Sequence, residues 1–202
     1  MMSACLAWRA VSSTSVPLAT YWRRARAAGS LTSADGGGSV PPMLAAVAPL
    51  LGPGLFVGYR NRDQQTTGFE ILPTGRVTVI HDAEMSATST STPIGDSANR
   101  PVALHIGPKT ASAAEGIVIA FAGRPVTESF GEATYGAPTG NSVVDLSDGS
   151  ALLLTRAVGV DRHGQKYEAA TPPDVAIRAS PSSDDIRSAA TTWLASQAPC
   201  TR

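Results

Sequence analysis

From Val102 onward the hydrophobic period of the sequence switches repeatedly between strand-like and helix-like, and that switching most restricts the fold. Val102-Ala103-Leu104-His105-Ile106 is a short apolar run of strand length. Gly107-Pro108 breaks it, and Ser112 to Ala122 follows as an apolar helical stretch ended by Gly123. Val126 to Phe130, Ser142 to Leu146 and Ala151 to Val160 then read as strands, with Asp148-Gly149 and His163-Gly164 as turns. Ser182 is placed to cap a last helix with Asp184 and Asp185 in its first turn. Ile186, Ala190, Trp193, Leu194 and Gln197 share one mostly apolar face of it, so this helix is expected to dock on the domain. Strands alternate with helices, which makes the class α/β.

The first half is less regular. Pro41-Pro42 lead into Met43 to Leu51, a short buried helix closed by Gly52-Pro53-Gly54. Leu55 to Tyr59 and Arg76 to His81 read as strands separated by polar turns, and residues 85–100 as a loop. Residues 1–34 show no sustained period and form an atypical N-terminal segment, which leaves 35–202 as the folded unit. At 202 residues the chain suits one domain, with room for an appendage.

Charge narrows the function. The 16 basic and 16 acidic residues cancel, so no electrostatic footprint for nucleic acid is visible. Lys109 and Lys166 are the only lysines, which limits any mechanism that needs a lysine base. Cys5 and Cys200 sit at opposite ends with no metal-ligand spacing, so neither a disulfide framework nor zinc is expected, and no cofactor is implied. No apolar run approaches the roughly 18 residues of a membrane span. Ala25-Arg26-Ala27 has the small-x-small form of a cleavage site, but Arg23, Arg24 and Arg26 follow the apolar stretch rather than precede it, against a secretory signal. Compartment and oligomeric state are unassigned.

The chemistry centres on Thr110-Ala111-Ser112-Ala113-Ala114-Glu115. A serine at the passage from strand to helix sits where backbone amides and the helix dipole favour a developing oxyanion. The alanines around it leave room for a peptide backbone. The same residue also makes an ordinary helix cap, and the six-residue stretch alone leaves both readings open.

The wider pattern resembles the tail-specific (C-terminal processing) serine peptidase family. Thr110 to Glu115 is similar to its nucleophile motif, and Gly131-Glu132-Ala133-Thr134-Tyr135-Gly136 to its G-E-x-T-x-G segment. Leu146-Ser147-Asp148-Gly149-Ser150 before an apolar strand looks like its L-x-D-G-x pair. Asp161 to Gly164, Tyr167-Glu168 and Pro172-Pro173-Asp174 resemble its closing elements, and Gly36-Gly37-Gly38 with the following helix its glycine turn. The resemblance covers about residues 35 to 178. It implies a crotonase- and ClpP-like spiral of ββα units, and hydrolysis of peptide bonds near the C-termini of unfolded or tagged polypeptides through an acyl-enzyme. Ser112 would be the nucleophile, and the amide of Ala113 with Gly37 or Gly38 the oxyanion hole.

One departure is decisive. Where the lysine-dependent branch places its base after T-[FY]-G, this chain has Ala137. Lys109 lies three residues before Ser112, across the turn, and is expected to face solvent. The chain therefore resembles the lysine-free branch that includes the tricorn protease core. By that resemblance Glu168 would orient or activate the site, working with a histidine contributed from an N-terminal region; a solvated glutamate on a hairpin is the other reading. None of this chain's histidines is a convincing base: His163 is a turn residue, His105 a core or interface residue, and His81 has no convergent partner.

Family members also carry an apolar strand ending in D-L-R-G-N before the glycines. Here Gly29-Ser30-Leu31-Thr32-Ser33-Ala34 stands instead, a stretch expected to make a poor central strand. The stretch can be encoded GGN TCN CTN ACN TCN GCN, which read from the third base permits Val-Ala-Asp-Leu-Arg, so residues 1–34 are expected to be out of frame and the chain weakly active or inactive. Two alternatives stand beside the peptidase: a non-catalytic peptide-binding module on the same fold, and a crotonase-like acyl-transfer enzyme, for which no CoA-site pattern is present.

Overall fold

The computed structural model describes residues 7–10, 29–32, 38–81, 84–87, 96–177 and 182–197. Two sheets organise them. The first is parallel throughout, in the order β1 (Ala7–Ala10), β2 (Gly29–Thr32), β7 (Val102–Ile106), β8 (Thr127–Gly131), β12 (Val175–Ala176). The second is antiparallel: β11 (Lys166–Tyr167), β10 (Ala151–Asp161), β3 (Gly54–Asn61), β4 (Thr66–Ile71), β5 (Val77–His81), β6 (Glu84–Ala87), with β9 (Thr139–Asp145) also paired to β10.

Helices α1 (Val40–Leu51) and α2 (Ala113–Phe121) fill the space between the sheets. Both are apolar on nearly every side, as helices covered on two faces must be. Met43, Leu44, Val47 and Leu50 of α1 and Ile117 and Ile119 of α2 are buried with Val57, Ile71 and Val77 from the antiparallel sheet. Val102, Leu104 and Ile106 of β7 join the same core, whereas Ala103 points to the opposite face. There α3 (Ser183–Ser196) lays Ile186, Ala190 and Leu194 over Ala103 and Phe130. Ile186, Leu194 and Phe130 each contribute about 1.5–3 kcal/mol through burial. Ser182 caps α3 by accepting from Asp185 N, as its position suggested.

Three expectations need correction. Gly29–Thr32 is a central strand, paired in parallel with β1 on one side and β7 on the other. Pairing is carried by backbone amides that every residue here possesses, so weak β-propensity does not prevent it. The segment between Tyr59 and Arg76 is not only turn: Thr66–Ile71 forms β4. Its Gly68 obscured the pattern; a Cβ there would lie 2.8 Å from Leu55 Cδ1, which would have to turn aside. Finally, residues 85–100 contain the end of β6 and a 3₁₀ turn at Asp96–Asn99; 88–95 lie outside the described residues.

Buried polar groups tie the layers. The guanidinium of Arg124 donates to the carbonyls of Leu50, Ala98, Arg100 and Pro125 and to Thr127 Oγ1, at 2.6–3.1 Å. Asp174 closes the sheet edge by accepting from Ser129 N and Oγ and donating its own amide to Ser129 Oγ.

Candidate active site

β7 ends at Ile106, and a tight turn follows in which Thr110 N donates to Gly107 O and Gly107 N to Thr110 Oγ1. The chain then enters α2 through Ser112, whose φ of 54° and ψ of −118° lie far from the extended conformation of a capping residue. The other two helix-leading serines are extended, Ser39 at −107°, 126° and Ser182 at −69°, 155°. A positive φ on a residue with a side chain costs on the order of 1–3 kcal/mol and persists only where neighbours enforce it. A strained strand-to-helix turn is also how a nucleophilic serine is held out from its own helix.

The enforcing neighbour is Glu115, which is fully buried. Its Oε2 accepts from Ser112 N (3.0 Å) and Ala137 N (2.8 Å). Its Oε1 accepts from Thr134 Oγ1 (2.6 Å) and Gly136 N (2.8 Å). One carboxylate thus locks the helix start to the loop of residues 132–138, and Tyr135 N, donating to Thr110 O, adds a further tie. The Thr134 and Gly136 of the G-E-x-T-x-G segment are therefore partners of the serine motif. Sequence reasoning assigned Glu115 no role, although Ser112-x-x-Glu115 has the spacing of a capping box.

Ser112 and Ala113 open into a cleft of about 510 Å³. Gly38, Ser39, Val40 and Pro41 at the start of α1 form one wall, Tyr59 and Phe69 another, and Thr139, Gly140 and Asn141 of β9 a third. Two helix N-termini meet here, so both helix dipoles favour negative charge in the cleft. Tyr59 was not singled out from sequence. Burial first, and the Glu115 charge second, push its hydroxyl up to about 12, so it stays protonated and serves as a wall rather than a base.

The structure thus brings together Ser112, Ala113 and Gly38; Gly37 lies outside the described residues. Glu168 is exposed just beyond β11 and does not line the cleft. The segment that follows it nevertheless passes the site: Thr134 N donates to Thr171 O, Thr171 N donates to Thr134 Oγ1, and Ala170 backbone lies against Gly136. Lys109 is exposed in the turn before Ser112 and does not line the cleft. His105 is half-buried on β7, where burial lowers its pKa, and His163 is exposed in the turn after β10; neither reaches the cleft. The His81 side chain lies outside the described residues. Among the described residues no group of His, Cys, Asp and Glu could hold a metal, and no helix is long and apolar enough to cross a membrane.

Residues 32–177 match the profile described as peptidase family S41. A nisin-resistance protein of Lactococcus lactis subsp. lactis is 27% identical over 165 residues, 80% of this chain and 47% of that protein, so the chain spans about half the length of this curated relative. Among solved structures, a lipoprotein from Streptococcus agalactiae superposes with a TM-score of 0.70 at 23% identity, over 96% of this chain and 67% of that one. The photosystem II D1 C-terminal processing protease superposes with a TM-score of 0.58 at 22% identity, over 85% and 42%. At these identities the two structures show a shared fold.

Proposed function

We propose that this chain, which belongs to peptidase family S41, carries the nucleophile and oxyanion hole of a serine peptidase that cleaves polypeptides. The observation that supports this most is Ser112, held at φ 54° by a buried carboxylate, at the start of a helix and inside a cleft. Ser112 Oγ attacks the scissile carbonyl, its proton passes to a base, and the tetrahedral oxyanion is received by the Ala113 amide with Gly38 or Gly37. Collapse expels the amine with that proton and leaves an acyl-enzyme, which water hydrolyses. The substrate is an unfolded or C-terminal polypeptide segment, and the fold a spiral of ββα units with residues 35–202 as its catalytic part.

The base is a histidine, as in the lysine-free branch that this chain resembles. Supporting this, residue 137 sits where the lysine branch keeps its base, within about 6 Å of Ser112 by amide-to-amide separation because both donate to one oxygen, and it is alanine. Glu168, just before the segment that passes the Thr134–Gly136 loop, orients that histidine. The absence of a base among the residues lining the cleft favours one second reading, a peptide-binding module without chemistry.

Labelling with a fluorophosphonate separates the two. An activated Ser112 is labelled and Ser112→Ala is not. No labelling of the unsubstituted chain would refute the peptidase reading.

A further inference from the structure

We infer that the outer edge of β9 is a docking strand, to which an extended polypeptide adds as one further strand leading into the Ser112 cleft. This rests on the peptidase reading of that cleft and names how its substrate is held.

β9 pairs with β10 on one side, and among the described residues no strand pairs with its other side. The alternation of an antiparallel ladder decides which amides are free. Leu146 N donates to Ser150 O at the hairpin turn, and Gly159 N donates to Pro138 O at the far end. Counting in twos from either end, Ser142 and Val144 exchange bonds with β10, whereas Asn141, Val143 and Asp145 turn their backbone groups outward. Thr139 also faces outward, but its amide is occupied by Ala137 O.

The side chains continue the case. Asn141, Val143 and Asp145 share a face with their partners Thr155, Leu153 and Ala151, and Asn141 Oδ1 accepts from Thr155 Oγ1 at 3.0 Å. Val143 and Leu153, directly opposite each other, are 65% and 66% exposed, an apolar step on that face. Asn141 meanwhile lines the cleft with Ser112. The free edge and its apolar step therefore run without a break from the nucleophile to the hairpin tip. Proteins blunt free edges with lysines, prolines or a covering segment; from Asn141 to Val144 this one carries no charge and no proline.

Strand addition takes its affinity from main-chain hydrogen bonds, and so accepts many sequences provided the ligand is extended. The ligand is thus an unfolded stretch of polypeptide, with apolar side chains at alternate positions over Val143 and Leu153.

The test uses the Ser112→Ala chain and a fluorescein-labelled peptide of alternating valine and serine, read by fluorescence anisotropy. Val143→Pro removes one outward N–H while leaving the β9–β10 bonds in place. Loss of one net hydrogen bond implies a rise in Kd of about three- to tenfold. N-methylating alternate amides of the peptide should weaken binding to the unsubstituted chain by a similar factor, and needs no altered protein should the proline variant misfold. Equal binding by parent and N-methylated peptides overturns the inference. So does a self-association, seen by sedimentation, that Val143→Pro abolishes while no peptide binds, because the edge would then belong to a second copy. Fluorophosphonate labelling of the native chain reports separately on Ser112.

Discussion

Replacing Glu115 with glutamine tests how the strained turn at Ser112 is maintained. The carboxylate accepts four hydrogen bonds, two on each oxygen, from groups that donate to it alone among the described residues. Glutamine must present an NH₂ to one pair. Ser112 N and Ala137 N cannot accept, whereas the Thr134 hydroxyl can, so the amide nitrogen will settle on the Thr134 side. That leaves the Gly136 N–H facing a donor, and turns the two bonds on the retained oxygen from charged to neutral. One buried N–H left unpaired costs about 1–3 kcal/mol, and each bond that loses its charge about 1 kcal/mol, for a total of about 3–5 kcal/mol. Against a domain stability of about 5–15 kcal/mol the variant still folds. Urea unfolding followed by tryptophan fluorescence should show that loss, and fluorophosphonate labelling of Ser112 should slow at least tenfold, since a serine free to leave φ 54° is no longer presented to the cleft. A variant within about 0.5 kcal/mol of the parent that labels at the native rate would refute the view that Glu115 enforces the turn.

Glu168→Gln should slow labelling of Ser112 by roughly 10² while Lys109→Ala leaves it unchanged; the reverse pattern would assign activation to Lys109. Arg124→Lys should lower stability by about 2–4 kcal/mol in urea titration, because an ammonium cannot reach four carbonyls on three segments. Burial depresses the His105 pKa, so below the unfolded value of 6.5 the unfolded chain binds the proton more readily and stability falls as pH drops. The urea midpoint of His105→Asn should therefore fall less than that of the parent between pH 7 and pH 5, and parallel profiles would contradict the assignment.

Much of this protein was legible in one dimension because its signals are local. The apolar run at 102–106, the Gly-Pro break and the apolar stretch from Ser112 placed β7, the turn and α2. Asp148-Gly149 marked the β9–β10 turn, and Ser182 with its two aspartates marked α3. Motif order and spacing singled out Ser112, which the structure places at the start of α2. What periodicity could not decide depends on partners distant in sequence. Gly29–Thr32 becomes a central strand because β1 and β7 supply hydrogen bonds on both sides, a property of the sheet and not of those four residues. Glu115 looks like a helix cap until Thr134, Gly136 and Ala137 are brought to its two oxygens. Tyr59 joins the cleft only because β3 crosses in front of α2. Hydrophobic pattern specifies which face of an element is buried; which buried groups then meet is set by how whole elements pack, and the local sequence does not encode that.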